Sequence, residues 1–569
     1  MGFDRRQFLG ALTATGGACL MNSARIAQAA DLGDTLPDAD VVIIGSGASG
    51  AAAAWRLSSA GLNVVCLEQG EHVQYAESPA AKADWELIRQ RDWNPNPNAR
   101  RGAADYPVAD ADSPIKPLMY NGVGGSTIMW SCHSPRFHPS DFKIRSLDGV
   151  GADWPIDYFD LEPYYELNQK MVGISGINGD PAYPERPPQP LPPVPLGKGG
   201  ERVAAAMDKL GWHWWPADIQ INSEAYGAGR GQCNHCGPCE LGCPLRAKGS
   251  TDVTYWPLAL EAGANLITGA RVFEIETDAK GRATGAAFYD SAGKTRRQRA
   301  GIVLVAANGI GTPRLLLLSR SKAHPNGLAN SSDMVGRHLM FHPVAAVTGV
   351  FDEPLDSYRG ITACAIASHQ FYETDPARDF VRGYMLQLVR GVGPVLTALN
   401  AYGVPQQWGP GHHGRFVEVF NHTSTMAIVG EDLPDPDNRV TLDDTLTDAD
   451  RIPAPKLTYR LQQNARRMLD HGMARSREIF AAAGARETYD VPLLVDGGFH
   501  LMGTARMGDN PETSVTDRWG RTHDVDNLFV IDGSLFASAA AVNPTITIQS
   551  LALRTADHIL ETRQHARSA

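Results

Sequence analysis

The sequence predicts an α/β fold, and three observations carry that prediction. Residues 40–44 (DVVII) are a short apolar run that stops at a glycine, as a buried parallel strand does. Residues 48–60 are rich in alanine and other small residues, suited to a helix packed closely on a sheet, and Val64–Leu67 (VVCL) reads as the next strand. A further apolar run at 301–307 (GIVLVAA) is another buried strand.

The link between the first strand and the helix is chemical as well as structural. Gly45-Ser46-Gly47-Ala48-Ser49-Gly50 spells Gly-x-Gly-x-x-Gly. Gly45 allows the tight turn, and Gly47 lets the backbone approach a pyrophosphate seated on the helix N-terminus. Gly50 permits close helix–strand packing. Glu68 closes the second strand, where a carboxylate would hold ribose hydroxyls and repel a 2′-phosphate. Residues 40–68 therefore read as a dinucleotide-binding βαβ unit that disfavours NADP. The choice between FAD and NAD needs more of the chain.

The chain is 569 residues long, 43% hydrophobic and 20% charged, which excludes the disordered and low-complexity classes and allows two to four domains. A net charge of −11 without a basic stripe gives no electrostatic support to a nucleic-acid partner. No apolar run reaches the roughly 18–20 residues of a membrane helix.

The first residues read as an address. Arg5-Arg6 precedes Phe8-Leu9, a mildly apolar stretch runs to Met21, and Ala27-Gln28-Ala29 supplies small residues for a cleavage site. This is the plan of a twin-arginine (Tat) signal over residues 1–29, and it predicts a periplasmic protein. The mature chain would carry 49 basic and 62 acidic residues, a net charge of −13, and no transmembrane segment. Tat substrates cross folded, which favours a cofactor loaded in the cytoplasm.

Further along, residues 71–120 are polar and read as loops and short helices over a surface. Residues 181–198 hold eight prolines and predict a meandering connection. Residues 431–450 hold eight acids against one arginine. An EF-hand reading fails there, with Val440 and Leu446 at the wrong places, and a solvated loop is predicted. Residues 460–485 read as an amphipathic helix. A strand at 528–531, a turn at Asp532-Gly533 and a helix from Pro544 to Leu560 close the chain.

A second glycine-rich loop, Asn121-Gly122-Val123-Gly124-Gly125-Ser126-Thr127, joins several other short motifs in order. They are Trp154-Pro155-Ile156, Leu161-Glu162-Pro163-Tyr164-Tyr165, His500-Leu501-Met502-Gly503-Thr504, Asp532-Gly533-Ser534 and Asn543-Pro544-Thr545. The ordered set resembles the glucose–methanol–choline (GMC) oxidoreductases from about residue 38 to 562. The segment Asn308-Gly309-Ile310-Gly311-Thr312-Pro313 matches a further family signature only in part.

The resemblance implies a Rossmann-like FAD-binding domain in two pieces, 38–345 and 490–565, with a mixed or antiparallel-sheet substrate domain inserted at 346–489. It implies a flavoenzyme in which FAD takes hydride from the CH–OH carbon of an alcohol, sugar or polyol. The residues it places around FAD are Gly45, Gly47, Ser49, Gly50, Glu68, Gly124, Gly125, Ser126, Val272, Asp532, Gly533 and Thr545. His500 takes the place of the active-site base and Asn543 that of its partner. A neutral imidazole suits removal of a hydroxyl proton near pH 7, an Asn amide can bond the developing alkoxide, and the helix opening at Pro544-Thr545 turns its positive end to the flavin. His338 and His342, four apart, have a metal-ligand spacing but read as structural residues near the domain junction.

Eight cysteines are present, and four of them form Cys233-x2-Cys236-x2-Cys239-x3-Cys243-Pro244. That is the spacing of an iron–sulfur run. A zinc site, two strained disulfides or a metal-free structural loop are the alternatives. Without Cys236 the run resembles the [3Fe–4S] segment of FAD-dependent sugar and polyol dehydrogenase large subunits, where the cluster passes electrons from flavin to a cytochrome c subunit. The extra Cys236 leaves [3Fe–4S] and [4Fe–4S] both open. A dehydrogenase serving a cytochrome c, a quinone or a small electron-transfer subunit is thus the leading expectation, against an O₂-using oxidase and a non-redox lyase on the same fold. Tyr358, Phe371, Tyr372, Tyr402, Trp408, Phe416, Trp212, Trp214 and Trp215 are the aromatic candidates for the substrate pocket, with most expected in the core.

Overall fold

The computed structural model describes residues 25–568 apart from 76–77, 401–402 and 407; the twin arginine and the apolar stretch read as a signal lie outside the described residues. Its first sheet runs in the order Ile26–Gln28, Asn265–Thr268, Val64–Leu67, Ala39–Ile44, Thr295–Val305, Ala283–Tyr289 and Arg271–Thr277, with Leu528–Val530 also paired to Thr295–Val305. The long strand Thr295–Val305 serves two neighbourhoods. Its start pairs antiparallel with Ala283–Tyr289, and its apolar end lies parallel to both Ala39–Ile44 and Leu528–Val530. Helix Ala48–Ser58 lies against this sheet with Ala51, Ala52, Ala53 and Ala54 fully buried, and it packs on the C-terminal helix Thr545–Ser568. Small side chains allow that approach, because they let the helix backbone come close without a void.

The second sheet is antiparallel throughout, in the order Glu487–Val491, Val344–Val350, Thr423–Gly430, Tyr384–Val389, Ile366–Ser368, Trp215–Pro216. Alternation gives it two faces. Ala345, Val347, Met426, Ile428, Leu386 and Leu388 are buried under helix Gln463–Ala482, which contributes Met468, Leu469, Met473, Ile479 and Phe480. The opposite face presents Val344, Ala346, Thr425, Ala427, Val429, Gln387 and Val389 to a cavity. Between the sheets, buried Arg382 bonds Asp141 (2.5 Å), Asp148 (3.1 Å) and Glu431 (2.9 Å), tying the first part of the chain to the substrate sheet.

One sequence expectation changes. Residues 439–447 are not a solvated loop but the strand Arg439–Thr447, paired with Pro453–Thr458. Its acids point outward at a sheet edge, while Val440 is buried, so charge there reports exposure rather than irregular backbone. Near the N-terminus, Ile26–Gln28 is an edge strand paired with Asn265–Thr268, and Ala29 is fully buried. The segment read as a cleavage site is thus part of the first sheet. The substrate sheet also recruits Trp215–Pro216, which lies upstream of residue 346.

Candidate active site

The two glycine loops meet face to face. A Cβ on Gly125 would lie 2.7 Å from the Cα of Gly47, and one on Gly45 would lie 2.5 Å from the Ala306 carbonyl. Gly50 packs against the Gly45 carbonyl, where a Cβ would sit 2.0 Å away, and Gly124 turns its loop at φ +95°. Neither Gly50 nor Gly124 lines the cavity; they shape the backbone that does. Gly45, Gly47, Ser49, Glu68, Gly125, Ser126, Val272, Asp532, Gly533 and Thr545 all line one cavity of about 600 Å³, together with His500 and Asn543.

Both cradle acids are already engaged. Glu68 accepts from the Ser46 N–H (2.9 Å), the Ser46 hydroxyl (2.7 Å) and the Gly70 N–H (3.0 Å), which fixes the first loop to the second strand. Asp532 accepts from the Asn308 N–H (3.0 Å), the Thr312 hydroxyl (2.5 Å) and the Ser534 N–H (2.9 Å). Burial raises its carboxyl above the usual range, against the pull of these bonds. The C-terminal helix opens at Pro544 and Thr545 on the cavity wall, so its N-terminal amides face the space. Backbone cradle, ribose-side acid and helix N-terminus together fit FAD.

At the far end lies the reacting centre. Asn543 Nδ2 is 3.5 Å from His500 Nε2, and Asn543 Oδ1 accepts from Gln387 Nε2 at 2.5 Å. His500 Nδ1 is 2.6 Å from His342 Nδ1. His342 Nε2 lies 2.9 Å from the Ala540 carbonyl and 3.1 Å from that of Ala539. On the other side, His133 Nε2 accepts the Cys364 N–H at 2.7 Å. Burial pushes His133 and His342 down to about 4, and burial with His342 and His133 nearby holds His500 well below the usual histidine range. All three imidazoles are neutral at pH 7.

This geometry corrects one reading. His342 is not a structural residue beside His338 but a direct neighbour of His500. His338 sits apart at φ +61°, with burial pushing it down to about 3. The aromatic candidates also fail to reach the site. None of Tyr358, Phe371, Tyr372, Phe416, Trp212, Trp214 and Trp215 lines the cavity, Trp408 is 78% exposed, and Tyr402 lies outside the described residues. Tyr372 instead bonds Asp141 and the Ala541 N–H, bracing the segment before Asn543. The cavity aromatics are Trp85, Tyr106, Tyr120, Trp130 and Phe499. Gln387 was legible only as the lone polar residue in YMLQLV, on the cavity face of its strand.

The cysteine run forms a turn-rich loop beside the same cavity, to which it contributes Pro238 and Glu240. Cys233, Cys236, Cys239 and Cys243 are free thiols, with Cys236 exposed. Cys233 Sγ accepts the His235 N–H at 3.4 Å and Cys239 Sγ that of Thr362 at 3.5 Å. Among the described residues, no three His, Cys, Asp or Glu side chains converge on a point that could hold a metal ion. Burial pushes the Cys233 thiol up to about 12. The loop offers a thiol donor set, and the side chains are not gathered into a closed cage.

A flavin cradle opening onto a neutral histidine and an amide is the layout of an FAD-dependent oxidoreductase acting on CH–OH groups. The chain belongs to the GMC oxidoreductases, whose family patterns match residues 203–344 and 434–552; residues 40–100 match the FAD dependent oxidoreductases. It is 42% identical over 527 residues to the 2-methyl-1,2-propanediol dehydrogenase of Mycolicibacterium austroafricanum, covering 91% of this chain and 95% of that one. It is 34% identical over 546 residues to the fructose dehydrogenase large subunit of Gluconobacter japonicus, covering 92% and 98%. In fold it is similar to the formate oxidase of Aspergillus oryzae, with a TM-score of 0.63 at 14% identity over 94% of this chain and 99% of that one. Among the described residues, no helix is long and apolar enough to cross a membrane.

Proposed function

We propose that the protein is a dehydrogenase of small alcohols or diols with an apolar body, passing electrons to an external acceptor. The observation that carries this is the His500–Asn543 pair at the end of the FAD cradle, under a sheet face of small apolar residues. When bound, FAD supplies the hydride acceptor. His500 takes the hydroxyl proton, and Asn543 Nδ2 donates to the oxygen as negative charge develops there. Val344, Ala346, Ala427, Val429 and Val389 exclude water and seat a hydrocarbon body rather than a ring of hydroxyls, each of which would need a partner. The 2-methyl-1,2-propanediol dehydrogenase relative carries a name of that chemical class.

The electron exit is assigned to the cysteine run as an iron–sulfur site. Its charge environment supports this. Arg230 is buried and donates only to the carbonyls of Val172 (2.7 Å), Arg246 (3.2 Å) and Ala247 (3.4 Å), while buried Lys248 donates to those of Thr127 and Ile128. Burial pushes Arg230 down to about 10, with Cys132, Tyr226, Cys243 and Asp252 close enough to oppose the fall. Neither Arg230 nor Lys248 forms a carboxylate ion pair among the described residues, and an anionic cluster held by the run would add negative charge beside them. A cluster there would serve as a one-electron relay to a cytochrome c, a quinone or a small partner subunit in the periplasm, reached by Tat export. Binding would require the four side chains to turn toward one another.

The test is iron and sulfide analysis with EPR on anaerobically purified protein, before and after 2-methyl-1,2-propanediol and a hexose. Stoichiometric iron, a signal altered by the diol and faster flavin bleaching with the diol than with the hexose are expected. No iron, with peroxide formed at the rate of turnover, would replace this reading with an oxidase. A flavin that no alcohol bleaches would favour the lyase.

A further inference from the structure

We propose that His342 is a positioning residue that fixes which ring nitrogen of His500 is the base. The inference rests on His500 being that base and goes on to name the atom and the device that selects it. The logic starts at the far end of the pair. His342 Nε2 lies 2.9 Å from the Ala540 carbonyl oxygen and 3.1 Å from that of Ala539. Carbonyl oxygens only accept, so Nε2 carries the hydrogen. His342 is 1% exposed and no carboxylate touches it, so its ring stays neutral and its Nδ1 is bare. The atom 2.6 Å from that bare nitrogen is His500 Nδ1. Two bare nitrogens would repel at this distance, so His500 Nδ1 must carry a hydrogen and donate it to His342. In a neutral His500 the remaining nitrogen, Nε2, is then the free lone pair, and it faces the cavity.

A second, independent constraint gives the same answer. Gln387 Nε2 donates to Asn543 Oδ1 at 2.5 Å, which turns the Asn543 amide nitrogen toward His500. An amide N–H 3.5 Å from His500 Nε2 favours a bare nitrogen there over an N–H. His500 is thus held in the Nδ1–H form from both sides, with Nε2 ready to accept the substrate hydroxyl proton.

The same arrangement receives the charge that the reaction creates. When Nε2 takes the proton, His500 becomes an imidazolium whose Nδ1–H still points at a lone pair on His342. His342 polarises against two carbonyls that already hold its own N–H. Those carbonyls are fixed in place: Ala540 stands at φ +56°, and the next N–H, that of Ala541, donates to the Tyr372 hydroxyl at 3.2 Å. The chain of Ala539 and Ala540 carbonyls, His342 and His500 orients an imidazole with no acid in it, doing by backbone and imidazole what an Asp carboxylate does in a Ser-His-Asp triad.

Two substitutions separate the two functions of the His342 ring. His342→Asn keeps an acceptor near the Nδ1 position and loses the distant donor. His342→Gln keeps a donor toward Ala539 and Ala540 and loses the acceptor for His500. The measurement is the rate of flavin reduction by 2-methyl-1,2-propanediol in stopped flow, from pH 5 to 9, on FAD-loaded protein, alongside FAD content and Tm. His342→Gln is expected to lower the reduction rate about 10²-fold or more at every pH, with the diol's apparent Kd changed less than threefold. His342→Asn is expected to recover at least a tenth of the wild-type rate. Equal losses in both variants, or a wild-type rate in His342→Gln, would overturn the proposal.

Nitrogen spectra of histidine-labelled wild-type enzyme provide a check that needs no variant. The bare-nitrogen resonance is expected on Nε2 of His500 and on Nδ1 of His342, and the reverse pattern overturns the assignment. His500→Ala keeps the two levels apart. If it retains the wild-type reduction rate, the base reading itself falls and this inference with it. If it abolishes reduction while His342→Gln does not, only the inference falls.

Discussion

Gln387 and Asn543 are locked together: the Gln387 amide nitrogen donates to Asn543 Oδ1 at 2.5 Å, and this leaves the Asn543 nitrogen facing His500. Gln387 is 4% exposed and belongs to the substrate sheet, while Asn543 stands two residues before the C-terminal helix Thr545–Ser568 of the FAD-binding part. The contact therefore makes the orientation of a site amide depend on how the two parts of the chain dock.

Replacing Gln387 by Leu should free the Asn543 amide to rotate while leaving the apolar wall intact. The flavin reduction rate should fall about tenfold to a hundredfold, the magnitude of one misdirected transition-state donor. The FAD content should not change. Gln387→Glu would reverse the hydrogen bond and turn the Asn543 oxygen toward His500, and it should be worse than Leu. Stopped-flow bleaching under anaerobic conditions reads both variants.

The pH dependence follows from three neutral imidazoles. His500 works as a base only when unprotonated, and its folded value is held well below 6.5 by burial and by the neighbouring His342 and His133. The kcat/KM profile should therefore stay flat as pH falls through 6.5, with its acid limb displaced below that value; a limb at 6.5 or above would contradict the assignment. Stability moves the other way from a salt-bridged histidine. His133 and His342 titrate near 4 when folded and near 6.5 when unfolded, so the unfolded chain takes up their protons first. Their contribution is complete above 6.5 and is lost as pH falls toward 4, at about 1.4 kcal/mol per pH unit for each. Denaturant midpoints for a His133→Asn variant, with that proton removed, should show the shallower slope.

The FAD cradle was legible because it depends on local rules, whereas the His500–Asn543 pair, 43 residues apart, came from the family resemblance. A positive-φ glycine, an alanine-rich helix and a strand ending in an acid announce themselves within thirty residues of sequence. Gln387 and His342 were hard to read for the opposite reason. Their roles arise from pairings across 156 and 158 residues, and nothing near either position marks them as more than core residues. The aromatic candidates misled because ring count on a strand does not say which face the rings take. In the substrate sheet the cavity face carries valine, alanine and threonine, and the larger side chains go under the covering helix. The cysteine run was plain as spacing, yet spacing cannot gather side chains.

Gly125 offers a test of the cradle alone. It stands at φ +53°, and an added Cβ would meet the Gly47 backbone at 2.7 Å. Both loops would have to part, since no flexible side chain can yield there. Gly125→Ala should purify with little or no FAD, measured by the ratio of 450 to 280 nm absorbance, while circular dichroism shows its secondary structure intact. Gly149→Ala, at φ +74° but with open space around the Cβ, serves as a control for left-handed strain away from the cradle and should keep its flavin.

Part of the cavity lining rests on a buried acid. Glu86, 4% exposed in the helix Trp85–Gln90, accepts the N–H groups of Val395 (3.0 Å) and Leu396 (3.4 Å) at the start of the short helix Pro394–Ala398. Gly393 must be glycine for this, because a Cβ would sit 2.5 Å from the Glu86 carboxylate. Trp85, Arg89, Val392, Gly393 and Leu396 all line the cavity, so the contact joins two segments of its lining. Glu86→Ala would leave two amide donors without their partner and should cost about 1–3 kcal/mol where they stay buried. Because Glu86 bonds Val395 and Leu396 rather than His500 or Asn543, the loss should appear in KM, severalfold higher for the diol, with kcat changed less than twofold. Glu86→Gln retains one acceptor oxygen and should fall between. A large fall in kcat with KM unchanged would instead place Glu86 among the groups acting on the transition state.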